Sequence, residues 1–135
     1  MIGVVVVTHG QLATELLNAA ETIVGDLPRF TAVSIGWHED VQDARNEIAD
    51  AIDRVQAEHG VLLLTDMFGG TPSNLGMTFL DSGKIEVVTG INLPMLIKLA
   101  SMTDAADLLE TARELREHGK NAIWVASDLL RGEKT

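Results

Sequence analysis

Two almost unbroken aliphatic runs, residues 2–8 (IGVVVVT) and 61–65 (VLLLT), constrain this chain more than any other feature. A strand with one face in water alternates apolar and polar residues. One that is apolar throughout must be covered on both faces, as the strands of a parallel α/β sheet are. Residues 30–35, 85–89 and 122–126 are shorter apolar segments and read as the remaining strands.

Helical patterns separate them. Leu12, Leu16, Leu17, Ala20, Ile23 and Val24 recur at spacings of three and four, and Gly25 closes the segment. Val41, Ala44, Ile48, Ile52 and Val55 form an apolar stripe, with acids and Arg45 and Arg54 on the opposite face. Leu108, Leu109, Ala112 and Leu115 repeat the pattern, with a stop expected at Gly119. Shorter helices are expected after Pro72 and Pro94, because proline suits a first helical turn. Strand and helix alternate throughout, which predicts an α/β fold: an open, doubly wound sheet, mostly parallel, in the order 2-1-3-4, with a fifth strand at the edge. The 135 residues contain no repeat and no linker, so one domain over residues 1–130 is expected, followed by a polar tail, 131–135.

Several functions are disfavoured by composition. Cysteine is absent, so neither a disulfide framework nor a thiolate metal site can form, in keeping with a reducing cytoplasm. No apolar run approaches the roughly 20 residues of a membrane span, and residues 2–7 are too short for a signal-peptide core. The chain is therefore expected to be cytoplasmic and unprocessed. A formal net charge of −10 repels a phosphate backbone and argues against nucleic acid, while it would steer a basic protein partner inward. Solubility alone would also account for the acidity.

In an open α/β sheet the ligand site lies beyond the carboxyl ends of the strands, where the strand order reverses. Here that point falls between strands 1 and 3, whose ends carry Thr8-His9-Gly10 and Thr65-Asp66-Met67. His9 and Asp66 are thus expected to face each other. A carboxylate that accepts the Nδ1–H of an imidazole fixes the tautomer and leaves the Nε2 lone pair for attack; it also stabilises positive charge developing on the ring. The next segment, Gly69-Gly70-Thr71-Pro72-Ser73-Asn74, reads as a tight turn leading into a helix, with Thr71 as N-cap and Pro72 in the first turn. Gly70, Thr71 and Ser73 are candidate phosphate-binding residues, because the N-terminus of a helix attracts anions. An ordinary capped junction would look the same in isolation; its place just after Asp66 gives it weight. A nucleophilic nitrogen, an orienting carboxylate and an anion cradle suffice for phosphoryl transfer, which depends on positioning and charge stabilisation. Neither a P-loop nor a dinucleotide fingerprint occurs, so no nucleotide donor and no cofactor is expected. His38 reads as a solvated loop histidine, and His59 and His118, each before a glycine, as helix-end residues. A metal site from His9, Asp66 and His38 lacks tight ligand spacing, and none is expected.

The segments VVVVTHG (4–10), LLLTDMFGGTPSN (62–74) and GINLPM (90–95) together resemble the enzyme IIA domain of the mannose-type branch of the bacterial phosphoenolpyruvate-dependent sugar phosphotransferase system. The similarity extends from Met1 to about Asp128. It implies that His9 is phosphorylated at Nε2 by the histidine phosphocarrier HPr and passes the group to a histidine of enzyme IIB. Asp66 would be its hydrogen-bond partner, and Thr71 and Ser73 would contact the phosphoryl group. It also implies a homodimer with an antiparallel last strand exchanged between subunits, and contact with the membrane only through a transporter complex. Two departures stand out: the chain stops at Thr135 without a linker or fused IIB domain, and its 36–39 loop reads Gly-Trp-His-Glu rather than Pro-Gly-Glu. They leave open a regulatory role, in which a stand-alone copy reports its phosphorylation state to a partner.

Two rivals are weaker. A response-regulator receiver phosphorylated on Asp66 would need an acidic pair after strand 1 and a lysine after strand 5, where Thr8-His9 and Ser127-Asp128 stand. The phosphocarrier subunit feeding dihydroxyacetone kinase carries a similar histidine, and the GGTPSN run favours the mannose-type resemblance over it.

Overall fold

A computed structural model describes residues 1–37 and 39–132. Four parallel strands, β1 (Gly3–His9), β2 (Phe30–Ile35), β3 (Val61–Thr65) and β4 (Ile85–Thr89), form one sheet in the order β2-β1-β3-β4. Helices α1 (Leu12–Val24), α2 (Val41–Val55), α3 (Thr71–Met77), α4 (Leu93–Ser101), α5 (Leu108–Asn121) and α6 (Ala126–Leu130) complete the chain. The α/β class and strand order agree with the sequence.

Side-chain alternation along the central strands produces two cores. Val4, Val6, Leu62 and Leu64 point to one face, against α1, α4 and α5, where Leu17, Leu96, Leu99 and Leu115 meet them. Val5, Val7, Val61 and Leu63 point to the other, against Ile48, Ile52 and Val55 of α2 and Leu75 of α3. All eight strand side chains are fully buried, each worth about 1.5–3 kcal/mol relative to exposure. This two-sided demand is why the runs are unbroken. Gly25 ends α1 at φ +89°, donating its N–H to the Glu21 carbonyl, and Asp40 caps α2 by accepting from the N–H groups of Gln42 and Asp43.

Some expectations need correction. Residues 122–126 form no strand: residues 122–125 connect α5 to α6, and Ala126 begins the latter. Ile123, Trp124 and Val125 have high strand propensity, but propensity alone makes no strand without a neighbour to pair with. Gly119 does not stop α5, which runs to Asn121; it is buried, and an added Cβ would lie 2.5 Å from Met95 Sδ. That glycine lets α5 approach α4 closely, and Asn92 locks the contact by donating from Nδ2 to the Gly119 carbonyl (3.1 Å) while capping α4 through Oδ1. His59 is no helix cap, since its Nδ1 accepts from the Met1 amine at 2.8 Å. His118 occupies the last turn of α5. In the proposed tail, Arg131 ends α6 and pairs with Asp128, while residues 133–135 lie outside the described residues.

Candidate active site

His9 is the last residue of β1, held in register opposite Ile35 of β2. Gly10 then turns the chain at φ +53° and donates its N–H to the Ile35 carbonyl. The Thr8 hydroxyl fastens this corner, accepting from the Ala13 N–H in the first turn of α1 (2.6 Å) and donating to the His9 carbonyl (3.1 Å). The histidine backbone is thereby tied to sheet and helix alike.

Asp66 follows β3 and reaches back across the point where the strand order reverses. Its Oδ2 accepts from the His9 ring at Nδ1 (2.8 Å) and from the His9 main-chain N–H (3.1 Å), and its Oδ1 accepts from the Met67 N–H. Burial pushes the Asp66 carboxyl up, but the hydrogen bonds from the His9 ring and main chain, with the ring's charge, outweigh it. The result lies below the ordinary carboxylate range. Asp66 is thus held as an anion that accepts the Nδ1–H hydrogen bond. The His9 side chain is half-exposed, and its Nε2 has no hydrogen-bond partner among the described residues.

The 69–74 turn closes over the same ring. Gly69 has φ +94°, and the N-cap of α3 is Gly70 rather than Thr71, which is the first helical residue. No side chain fits at Gly70, where a Cβ would stand 2.6 Å from His9 Cε1 and 3.0 Å from Nε2. Gly70 is therefore a close approach of backbone to the imidazole, more than the turn residue its sequence position suggests. Thr71 is exposed and lines the crevice. Ser73 is fully buried, and its hydroxyl points to Met77 Sδ at 4.0 Å. The structure thus brings His9, Asp66, Gly70 and Thr71 together and leaves the Ser73 hydroxyl facing inward. His38 lies outside the described residues, and with it the His9–Asp66–His38 metal arrangement.

A crevice of about 400 Å³ opens beside His9, lined further by Ile35, Trp37, Glu39 and Val41. The sequence reading missed one feature here. Glu39 folds back so that Oε1 accepts from the Gly36 N–H (3.1 Å), while Oε2 is buried without an N–H or hydroxyl donor among the described residues. The Glu47 carboxyl lies beside Glu39, and one proton between the two carboxyls relieves their repulsion. Sharing it with Glu39, together with some burial and the nearby charges of Glu39 and Asp43, pushes Glu47 up to about 7 and pulls Glu39 down. Only the eight-residue spacing of two acids hints at this pair in sequence. No helix among the described residues is long and apolar enough to cross a membrane.

Known proteins resemble this chain over most of its length. The profile of the EIIA-man family, described as the fructose IIA component of the phosphotransferase system, matches residues 3–116. The fructose-specific EIIA component of Bacillus subtilis is 29% identical over 136 residues, covering 100% of this chain and 93% of that protein. The mannose-specific EIIAB component of Escherichia coli K12 is 29% identical over 122 residues, 84% of this chain but 38% of that protein. Among solved structures, the IIA protein associated with the fucose utilization operon of Streptococcus pneumoniae superposes with a TM-score of 0.84 at 28% identity, covering 96% of both chains.

Proposed function

The chain belongs to the mannose-type enzyme IIA family of the sugar phosphotransferase system, with the phosphocarrier role of its members, and from that premise we propose that His9 is the residue that carries the phosphoryl group. The 2.8 Å bond from His9 Nδ1 to Asp66 Oδ2, which leaves Nε2 as the available nitrogen, carries this reading.

The Nε2 lone pair attacks the phosphorus of a phosphohistidine on HPr, in line with the departing imidazole. A P–N bond forms on His9 as the P–N bond on HPr breaks, and the HPr ring leaves with the electron pair. The Nδ1 proton stays in place between ring and carboxylate. Asp66, ionised beforehand, neutralises the positive charge that the ring acquires. Gly70, Thr71 and Ser73 cradle the phosphoryl oxygens. Thr71 lines the crevice, the first N–H groups of a helix lack intrahelical acceptors, and Ser73 contributes through its main chain because its hydroxyl is turned to Met77. A histidine of enzyme IIB then takes the group by the reverse geometry, in the cytoplasm.

A homodimer completes the reading. β4 is an edge strand of the sheet, and an apolar strip is left in water beyond α5, with Ile123 75% and Leu130 88% exposed. An edge and a strip of this kind favour self-association.

Incubation with phosphoenolpyruvate, enzyme I and HPr should add one acid-labile phosphoryl group, visible by intact mass, and His9→Ala should add none. A label persisting in that variant would overturn the proposal.

A further inference from the structure

The end of the molecule around His9 is unusually apolar for a chain of net charge −10. Leu12, Trp37, Val41, Met67 and Phe68 are all exposed there, Trp37 to 92% and Phe68 to 70%. They come from the segments that follow β1, β2 and β3, so three successive crossovers deliver large apolar side chains to one rim. Isolated exposed apolar residues need no explanation, whereas a cluster encircling a reactive centre marks an interaction surface.

Gly36 and Glu39, which flank Trp37, are joined by two hydrogen bonds. The Glu39 N–H donates to the Gly36 carbonyl (3.2 Å), and the Gly36 N–H donates back to Glu39 Oε1 (3.1 Å), so the turn is closed from both directions. An aromatic side chain on a pre-ordered turn loses little entropy when a partner covers it, and tryptophan is enriched among residues that dominate binding energy. The surrounding charge is of one sign. Segments 9–16, 36–43 and 66–74 contain Glu15, Glu39, Asp40, Asp43 and Asp66 but no lysine or arginine. A complementary face is therefore apolar at its centre and ringed by lysine and arginine.

We propose that Trp37 is the anchor through which the phosphohistidine-bearing donor protein docks over His9, seated in an apolar pocket of that donor with basic residues against the exposed Asp40 and Asp43. The proposal rests on the reading of His9 as phosphoryl acceptor. Trp37 takes no part in the chemistry; it sets the encounter and hence which donor is accepted.

The test compares two donors to the same histidine: phosphorylated HPr, which must dock, and phosphoramidate, which is too small to use the rim. Trp37→Ala should lower the ratio of the HPr rate constant to the phosphoramidate rate constant by about thirtyfold, the equivalent of a ~2 kcal/mol hot spot. Raising the salt concentration should slow the HPr reaction of the unsubstituted protein, as expected of steered association. An unchanged ratio in Trp37→Ala overturns the proposal, as does an equal fall with both donors, which would make the residue structural. A shift in oligomeric mass with an unchanged ratio overturns it too, assigning the rim to a second copy of the chain. Failure of the unsubstituted protein to label with either donor would sink the carrier reading itself, a result distinct from these.

Discussion

Gly70 shows how much one missing side chain can decide. Its backbone lies where a Cβ would stand 2.6 Å from one ring carbon of His9, so Gly70→Ala must displace either the turn or the imidazole. The His9–Asp66 bond would be lost in the second case. Phosphoryl acceptance in Gly70→Ala should fall at least tenfold while the thermal midpoint changes little, measured by phosphorylation rate and melting curve. Asp66→Asn tests the same geometry from the other side. An amide cannot hold the Nδ1–H and stabilise the charged ring as a carboxylate does, so transfer should slow, by up to about the 10⁴-fold that the same replacement costs in a hydrolytic triad. Unchanged rates in Asp66→Asn would reduce the contact to a structural one. His9 and Asp66 were legible in sequence because strand ends at a reversal of strand order must converge. The closeness of Gly70 to the ring was not, since a glycine needed for a turn and one needed for a contact look alike.

At the scale of elements, α2 and the turn before it are joined by the proton shared between Glu39 and Glu47. With Glu47 raised to about 7 in the folded chain and near 4.3 when unfolded, the native state holds the extra proton between those values. The slope of stability with pH follows the protons bound by the unfolded chain minus those bound by the native one, and is therefore negative there. The contribution is complete below about pH 4 and is lost as pH rises through 7. The melting temperature of the unsubstituted protein should therefore fall more between pH 5.5 and pH 8.5 than that of Glu47→Gln, which cannot ionise; parallel curves would refute the pairing. Asp66 titrates outside that window, its pKa being lowered. Elements with a strong period were read closely from sequence: β2, β3 and β4 have the expected bounds. Residues 122–126 have the composition of a strand yet form none within the single chain, because strand propensity describes what a segment suits, while a strand exists only where another offers hydrogen bonds.

For the whole molecule, the same strip predicts behaviour in solution. Ile123→Asp together with Val125→Asp places charge where apolar contact is proposed, and should convert a dimer to a monomer by light scattering, with His9 labelling from phosphoramidate retained. A monomeric unsubstituted protein would remove the dimer from the reading. The sequence by itself determined the α/β class, the two-sided burial of the central strands, and the identity of the histidine and aspartate at their ends. Those follow from periodicity, which is local, and from strand order, which a short chain can satisfy in few ways. Folding in three dimensions sets which oxygen of Asp66 holds the ring, that the Ser73 hydroxyl faces inward, that Glu39 and Glu47 are paired, and that Trp37 is exposed beside the site. Each depends on the distance between residues far apart in the chain, and distance is a property of packing rather than of pattern.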